Sequence, residues 1–327
     1  MLVAKPNTAR RAFVSLSAGG FRECWALAEI RKRSKIMKTI YESKVYKETK
    51  QSSIYADIYY YGSQTPVVIY IHSGALIFGT RKMLPIEQVE IYRNAGFSVI
   101  SIDYRLAPET RFELIIEDIE DALYWVRNTA SKMYDFNTNK LAVIGSSAGA
   151  YLSLLCGTKE YRPNAIVSFY GYGDILGKWY SEPSEFYCER PIVNLAEAKR
   201  SLSDSEVSDG SWERFNYYLW CRQHGTWVET VTGLDRERDS ELLRMYNPID
   251  NITKEYPPTL FLHGDKDTDV PYEQSLMMYR ALRKLGIKTD LVTINGADHV
   301  FDQNINNEQV KRAFEKTICF LKEHLCE

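Results

Sequence analysis

Leu141-Ala142-Val143-Ile144-Gly145-Ser146-Ser147-Ala148-Gly149-Ala150 is a short apolar run, rich in β-branched residues, that stops at Gly-x-Ser-x-Gly and continues into small residues suited to opening a helix. A strand that turns this sharply into a helix holds the residue at the turn clear of the chain on either side. Gly145 and Gly149 follow from the same geometry, because the turn brings two backbone segments so close that a Cβ at either position would collide. Ser147 is thereby marked as a candidate nucleophile. The N–H groups that start the next helix aim at any negative charge developing beside it.

Working outward, strand-like and helix-like stretches alternate. Residues 38–48 and 54–61 read as two strands of a hairpin, with polar Lys50-Gln51-Ser52-Ser53 between them. Residues 66–72 and 97–103 are continuous apolar runs, as expected of strands buried on both faces. Strands are expected again at 141–145, 165–170, 259–263 and 289–294, and helices at 84–95, 113–132, 272–285 and 307–325. Alternation of this kind defines the α/β class, a mostly parallel sheet with helices on both faces. One block interrupts it. Residues from about 171 to 253 hold four of the six tryptophans (Trp179, Trp212, Trp220, Trp227) and many tyrosines. They read as an inserted cap whose aromatics pack inward for its own stability, shape a substrate pocket, or do both.

The bulk properties exclude several classes. With 327 residues, 45% of them hydrophobic and 26% charged, the chain has the composition of an ordinary globular protein with a large core. A net charge of −2 gives no basic footprint, so nucleic acid is not an expected partner. No apolar stretch approaches the length of a membrane span. Cys24, Cys156, Cys188, Cys221, Cys319 and Cys326 are scattered without metal-like spacing. They read as reduced thiols of a cytoplasmic protein, and neither a metal nor a cofactor is expected. The first 36 residues differ, with Arg10, Arg11, Arg22, Arg31, Lys32, Arg33 and Lys35 against Glu23 and Glu29. Three readings stand: a natural start at Met37, a loosely ordered extension, or an Arg-rich targeting segment. The organised domain is expected over 37–327. Whether it forms a homodimer is left open by the sequence.

A serine that transfers acyl groups needs a base to take its proton, an acid to orient that base, and donors for the oxyanion. Downstream of Ser147, the strand at 259–263 runs into Gly264-Asp265-Lys266-Asp267-Thr268-Asp269-Val270-Pro271, and the strand at 289–294 into Asn295-Gly296-Ala297-Asp298-His299-Val300-Phe301. Both loops follow the carboxyl end of a strand, where open α/β sheets place their ligands. The order Ser, Asp, His matches that of hydrolases on such a sheet. His299 is the base candidate. Asp267 is favoured as the acid over its neighbours Asp265 and Asp269, which read as solvated loop carboxylates or turn formers. The loop His72-Ser73-Gly74-Ala75 and the N–H of Ala148 supply the oxyanion candidates, small enough for backbone donors to come within about 2.7–3.1 Å of the charge.

Taken together, His72-Ser73-Gly74-Ala75, Asp103-Tyr104-Arg105-Leu106-Ala107-Pro108-Glu109, Gly145-Ser146-Ser147-Ala148-Gly149, the Asp267 loop with its Val270-Pro271, and Asp298-His299 resemble the hormone-sensitive-lipase-like carboxylesterase branch of the α/β-hydrolase superfamily. The resemblance spans Met37 to the C-terminus. It implies an α/β-hydrolase fold, catalytic Ser147, Asp267 and His299, and oxyanion positions at Gly74, Ala75 and Ala148. It implies a structural role for the 103–109 segment, with Arg105 bracing the loop beside the site. Ser73 stands where the family usually has Gly, Ser146 where it often has Asp or Thr, and Ala150 where it has Gly. The expected substrate is a small-molecule ester with a small to medium acyl group. Two alternatives accompany this reading: a peptidase or amidase related to prolyl oligopeptidases, and a non-catalytic ligand-binding relative.

Overall fold

The computed structural model describes residues 41–326; the reading of residues 1–36 lies outside them. Eight strands form one sheet: β1 (Glu42–Glu48), β2 (Ser53–Tyr59), β3 (Pro66–Ile71), β4 (Ser98–Ile102), β5 (Asn137–Ser146), β6 (Ala165–Phe169), β7 (Thr259–Gly264) and β8 (Thr289–Ile294). Their order is β1-β2-β4-β3-β5-β6-β7-β8. The ladder is parallel from β4 through β8, and antiparallel only where β1 meets β2 and β2 meets β4.

The central strands are apolar throughout because helices cover both faces. Along β3, Val67, Ile69 and Ile71 join one core cluster with Ile115, Ile119 and Leu152, whereas Val68 and Tyr70 join the other with Tyr92, Phe314 and Leu321. Side chains of a strand alternate between faces, so one uninterrupted hydrophobic run serves two cores. These partners come from α1 (Ile86–Asn94), α2 (Phe112–Trp125), α3 (Ala148–Cys156) and α7 (Glu308–Leu325), with α4 (Phe215–His224), α5 (Trp227–Thr232) and α6 (Glu273–Lys284) falling between α3 and α7 in the chain. Every residue of α3 is buried, which fits its small and aliphatic side chains and the single aromatic Tyr151.

Two elements depart from the sequence reading. β5 starts at Asn137, four residues earlier than expected, because Asn137 pairs with Pro66 before a register shift that pairs Leu141 with Val67. The helix expected over 113–132 is α for Phe112–Trp125, then opens into a π turn at Val126–Ala130. There Asn128 Nδ2 donates to the Tyr124 carbonyl and Ser131 Oγ to that of Arg127, at 2.9 and 2.6 Å. Such back-bonding by short polar side chains loosens the regular ladder.

Between β6 and β7 the alternation gives way to short helices, among them α4 and α5. Here Trp227 stacks on Tyr180 with ring centroids 4.0 Å apart, and Tyr172 meets both edge-on. All three rings are buried. These aromatics pack against one another, while Trp179, Trp212 and Trp220 stay partly exposed around them. Among the described residues no helix is long and apolar enough to cross a membrane.

Candidate active site

Ser147 sits between β5 and α3 with φ 52° and ψ −117°, a conformation that L residues avoid. Holding it stores on the order of 1–3 kcal/mol of strain that the surrounding structure must offset. The reason is steric and lies in the flanking glycines. A Cβ on Gly145 would stand 2.1 Å from the Gly149 carbonyl oxygen, and one on Gly149 would stand 2.1 Å from that of Ile71. The start of α3 is therefore pressed against the end of β3, which brings the loop beginning at His72 beside the turn.

The partners chosen from the sequence converge there. His299 Nε2 lies 3.1 Å from Ser147 Oγ, and His299 Nδ1 lies 2.7 Å from Asp267 Oδ2. A carboxylate can only accept, so Nδ1 carries the proton and Nε2 is left to accept from the serine hydroxyl. The other oxygen of Asp267 accepts the backbone N–H groups of Asp269 and Val270 at 2.9 and 2.8 Å, which fixes its rotamer. Asp267 is fully buried and Ser147 nearly so.

Burial alone would lower the His299 pKa, but the charge of Asp267 and its hydrogen bond override that and raise it. Burial would likewise raise the Asp267 pKa. The charge of His299 and hydrogen bonds from His263 and His299 hold it well below the usual carboxylate range instead.

The neighbouring acids have separate tasks. Asp265 Oδ1 accepts from Gly296 N, tying the β7 loop to the β8 loop. Asp298 Oδ1 does the same by accepting the N–H and hydroxyl of Thr268 and the N–H of His299. Asp269 turns to the segment between β6 and β7. It accepts from Tyr218 Oη and Arg222 Nη1 at 2.5 and 2.7 Å, while its second oxygen stands 3.7 Å from His299 Nε2. Arg222 is 3% exposed and lies over the rings of Tyr180, Tyr187 and Tyr218. Sequence reasoning did not single out Arg222, Tyr218 or this use of Asp269, since nothing in their local spacing reports a contact some 50 residues away. His263, near the end of β7, places Nε2 3.2 Å from Asp267 Oδ2 and donates to the Val270 carbonyl. Tyr170 meets the His299 ring edge-on at 4.6 Å.

The loop after β3 carries Gly74, Ala75 and Leu76 at φ 117°, 54° and 61°. The N–H groups of Gly74 and Ala75 meet no acceptor among the described residues, whereas the carbonyls of residues 74–77 are all taken. Ser73 is not in the left-handed region, so its Cβ is accommodated without backbone strain. His72 stacks on Tyr104 and donates Nδ1–H to the Ser73 carbonyl, and burial pushes its pKa down to about 4, so it stays neutral. Arg105 braces its own segment: it grips Asp118 with two nitrogens at 2.8 and 2.7 Å and reaches Glu206 at 2.9 Å.

A mostly parallel eight-stranded sheet with a serine on a strained strand-to-helix turn, and Asp and His on the loops after later strands, is the α/β-hydrolase fold. Family profiles agree: BD-FAE matches residues 54–195 and the prolyl oligopeptidase family matches residues 211–327. Among solved structures, an alpha/beta hydrolase superfamily protein from Enterococcus faecalis is 22% identical, with TM-score 0.70 over 87% of this chain and 99% of that one. Esterase LipW from Mycobacterium marinum is 20% identical, with TM-score 0.67 over 95% and 89%. These likenesses show that the chain has the α/β-hydrolase fold. Among curated relatives, esterase LipC of Mycobacterium tuberculosis is 26% identical over 72% of this chain and 53% of its own length. The non-reducing polyketide synthase pkbA of Emericella nidulans is 26% identical over 89% of this chain, which spans only 14% of that protein.

Proposed function

We propose that the chain is a serine hydrolase that cleaves carboxylic esters of small to medium acyl groups through an acyl-enzyme, on the pattern of the hormone-sensitive-lipase-like branch. The observation that carries this reading is the hydrogen-bonded series Asp267–His299–Ser147, ending on a serine held in a strained turn. Ser147 Oγ attacks the ester carbonyl while His299 Nε2 takes its proton. The imidazolium, stabilised by the buried Asp267 carboxylate, then protonates the departing alcohol oxygen. Water attacks the acyl-enzyme with His299 again as base, releasing the acid and restoring Ser147. The N–H groups of Gly74, Ala75 and Ala148 are the donors assigned to the developing oxyanion. No step calls for a metal or a cofactor. Residues of about 171–253 form the cap, anchored beside the catalytic histidine through Asp269.

The likeness to LipC and LipW, both named as esterases, supports ester over amide chemistry. The match of residues 211–327 to the prolyl oligopeptidase family supports a second reading, a peptidase or amidase. A panel of p-nitrophenyl esters from acetate to octanoate, run beside aminoacyl anilides, separates the two. The ester reading expects the highest kcat/KM on short to medium acyl esters. Anilide cleavage outrunning ester cleavage overturns it.

A further inference from the structure

The segment between β6 and β7 reaches the loop assigned to the oxyanion at three separate places. Trp227 Nε1 donates to the Ala75 carbonyl at 3.0 Å. Arg214 Nε donates to the Ile77 carbonyl at 2.5 Å, and its Nη2 donates to that of Ala107 at 2.8 Å. Gly79 and Gly210 exchange a reciprocal pair of backbone bonds, each 2.9 Å. The loop's own bonds are few: Ile77 N and Phe78 N both donate to the Gly74 carbonyl, and Ala107 N donates to that of Leu76. Ala75 and Leu76 are consecutive L residues in left-handed conformation, a state that persists only where neighbours enforce it.

We propose that this segment acts as a buttress of the oxyanion loop as well as a cover, with Trp227 and Arg214 as positioning residues for the reaction assigned to Ser147; the inference rests on the hydrolase reading. The indole is fully buried and fixed by its stack on Tyr180, so its single N–H has one place to go. Pinning the Ala75 carbonyl fixes the peptide that follows Ala75 and so helps hold that residue at its positive φ, with its N–H free. Arg214 is itself immobilised by a two-pronged pair with Glu109 at 2.7 and 2.6 Å, both side chains being buried. Its planar fork therefore sets the distance between residues 77 and 107. Neither side chain touches substrate in this scheme. Both act through the loop backbone, whose donors are useful only within a few tenths of an ångström of the oxyanion.

The test is Trp227→Phe, which keeps a buried ring and removes the N–H. Wild-type protein is first treated with a fluorophosphonate; absence of labelling would fail the hydrolase reading itself, and the buttress with it. Given labelling, the variant is expected to lose about tenfold in kcat, a fraction of what deletion of a whole oxyanion donor removes, with KM changed less than threefold. The Ki of a trifluoromethyl ketone, which forms a tetrahedral adduct, should rise by the same factor, while that of the matching methyl ketone stays put. Arg214→Lys serves as a second variant, keeping the charge beside Glu109 while losing the fork, and the same split is expected. Should Trp227→Phe fail to fold, Arg214→Lys decides alone. A kcat within twofold of wild type, or a loss confined to KM, overturns the proposal.

Discussion

The turn at Ser147 and the segment between β6 and β7 meet at one site but are held by opposite means. The turn is held by backbone against backbone: Gly149 lies so close to Ile71 that no side chain fits, and the strain at Ser147 is enforced by a sheet buried on both faces. The segment between β6 and β7 has no strands in the sheet. It is held by side chains that reach out to loops, with Trp227 and Arg214 on the residues after β3 and Arg222 and Tyr218 on Asp269. A scaffold fixed by sterics can be spelled in five letters. A scaffold fixed by long-range polar contacts cannot, and its stability depends on a handful of buried charges.

That contrast predicts where mutations hurt. The largest effect belongs to the turn: Ser147→Ala should lower kcat by about 10⁴-fold or more with Tm within a few degrees of wild type, and His299→Ala should lower kcat comparably. Steady-state hydrolysis and a thermal melt on the same samples check it. At the Asp269 anchor of the segment between β6 and β7 the effect moves to stability. Arg222→Ala leaves the Asp269 carboxylate without its buried cation and should cost about 3–5 kcal/mol in denaturant unfolding; a cost below about 1 kcal/mol would mean that the anchor is slack. Gly149→Ala tests steric holding directly, since its Cβ meets carbonyl oxygens that cannot swing away; a loss of about 3 kcal/mol is expected.

Much of this was legible beforehand because it follows from local rules. Each of the eight strands is an apolar or alternating run with turn residues beside it. Gly145, Ser147 and Gly149 announce the turn, and the two Asp- and His-bearing loops are recognised by following strands. Asp267 was favoured among three crowded aspartates, and the resemblance pointed to the same residue; in the structure each acid has its own hydrogen-bond partners, and Asp267 is the one facing His299 Nδ1. The rest was illegible for a physical reason. Arg214 and Trp227 meet residues 77 and 75 from 137 and 152 positions away, and no period or spacing in a chain encodes such a meeting. The left-handed Ala75 and Leu76 were equally hidden, because neither residue type marks that conformation as glycine does.

Two smaller effects sharpen the comparison. The His299 pKa is raised above its ordinary 6.5 and that of Asp267 is depressed. A raised base contributes stability that is complete below pH 6.5 and is lost as pH rises through its folded value. A depressed acid contributes stability present above its unfolded value, near about 3.9, and lost as pH falls. The Tm gap between wild type and His299→Ala should therefore be widest at about pH 4–6.5 and shrink above it. Because the neutral imidazole is the working form, kcat/KM should fall on the acid side with a midpoint above 6.5; a midpoint below 6 would contradict the assigned pairing. The smallest effect is Ser147→Gly, which relieves the strained φ and ψ and should raise stability by about 1 kcal/mol.

The central claim is that Ser147 is the residue that becomes acylated. Intact-mass and peptide mass spectrometry after treatment with a fluorophosphonate tests it most directly. The account predicts one adduct per chain, on the peptide containing Ser147, absent from folded Ser147→Ala and strongly slowed in His299→Ala. Folded wild-type protein that takes up no adduct, or takes it up on another residue, would contradict it.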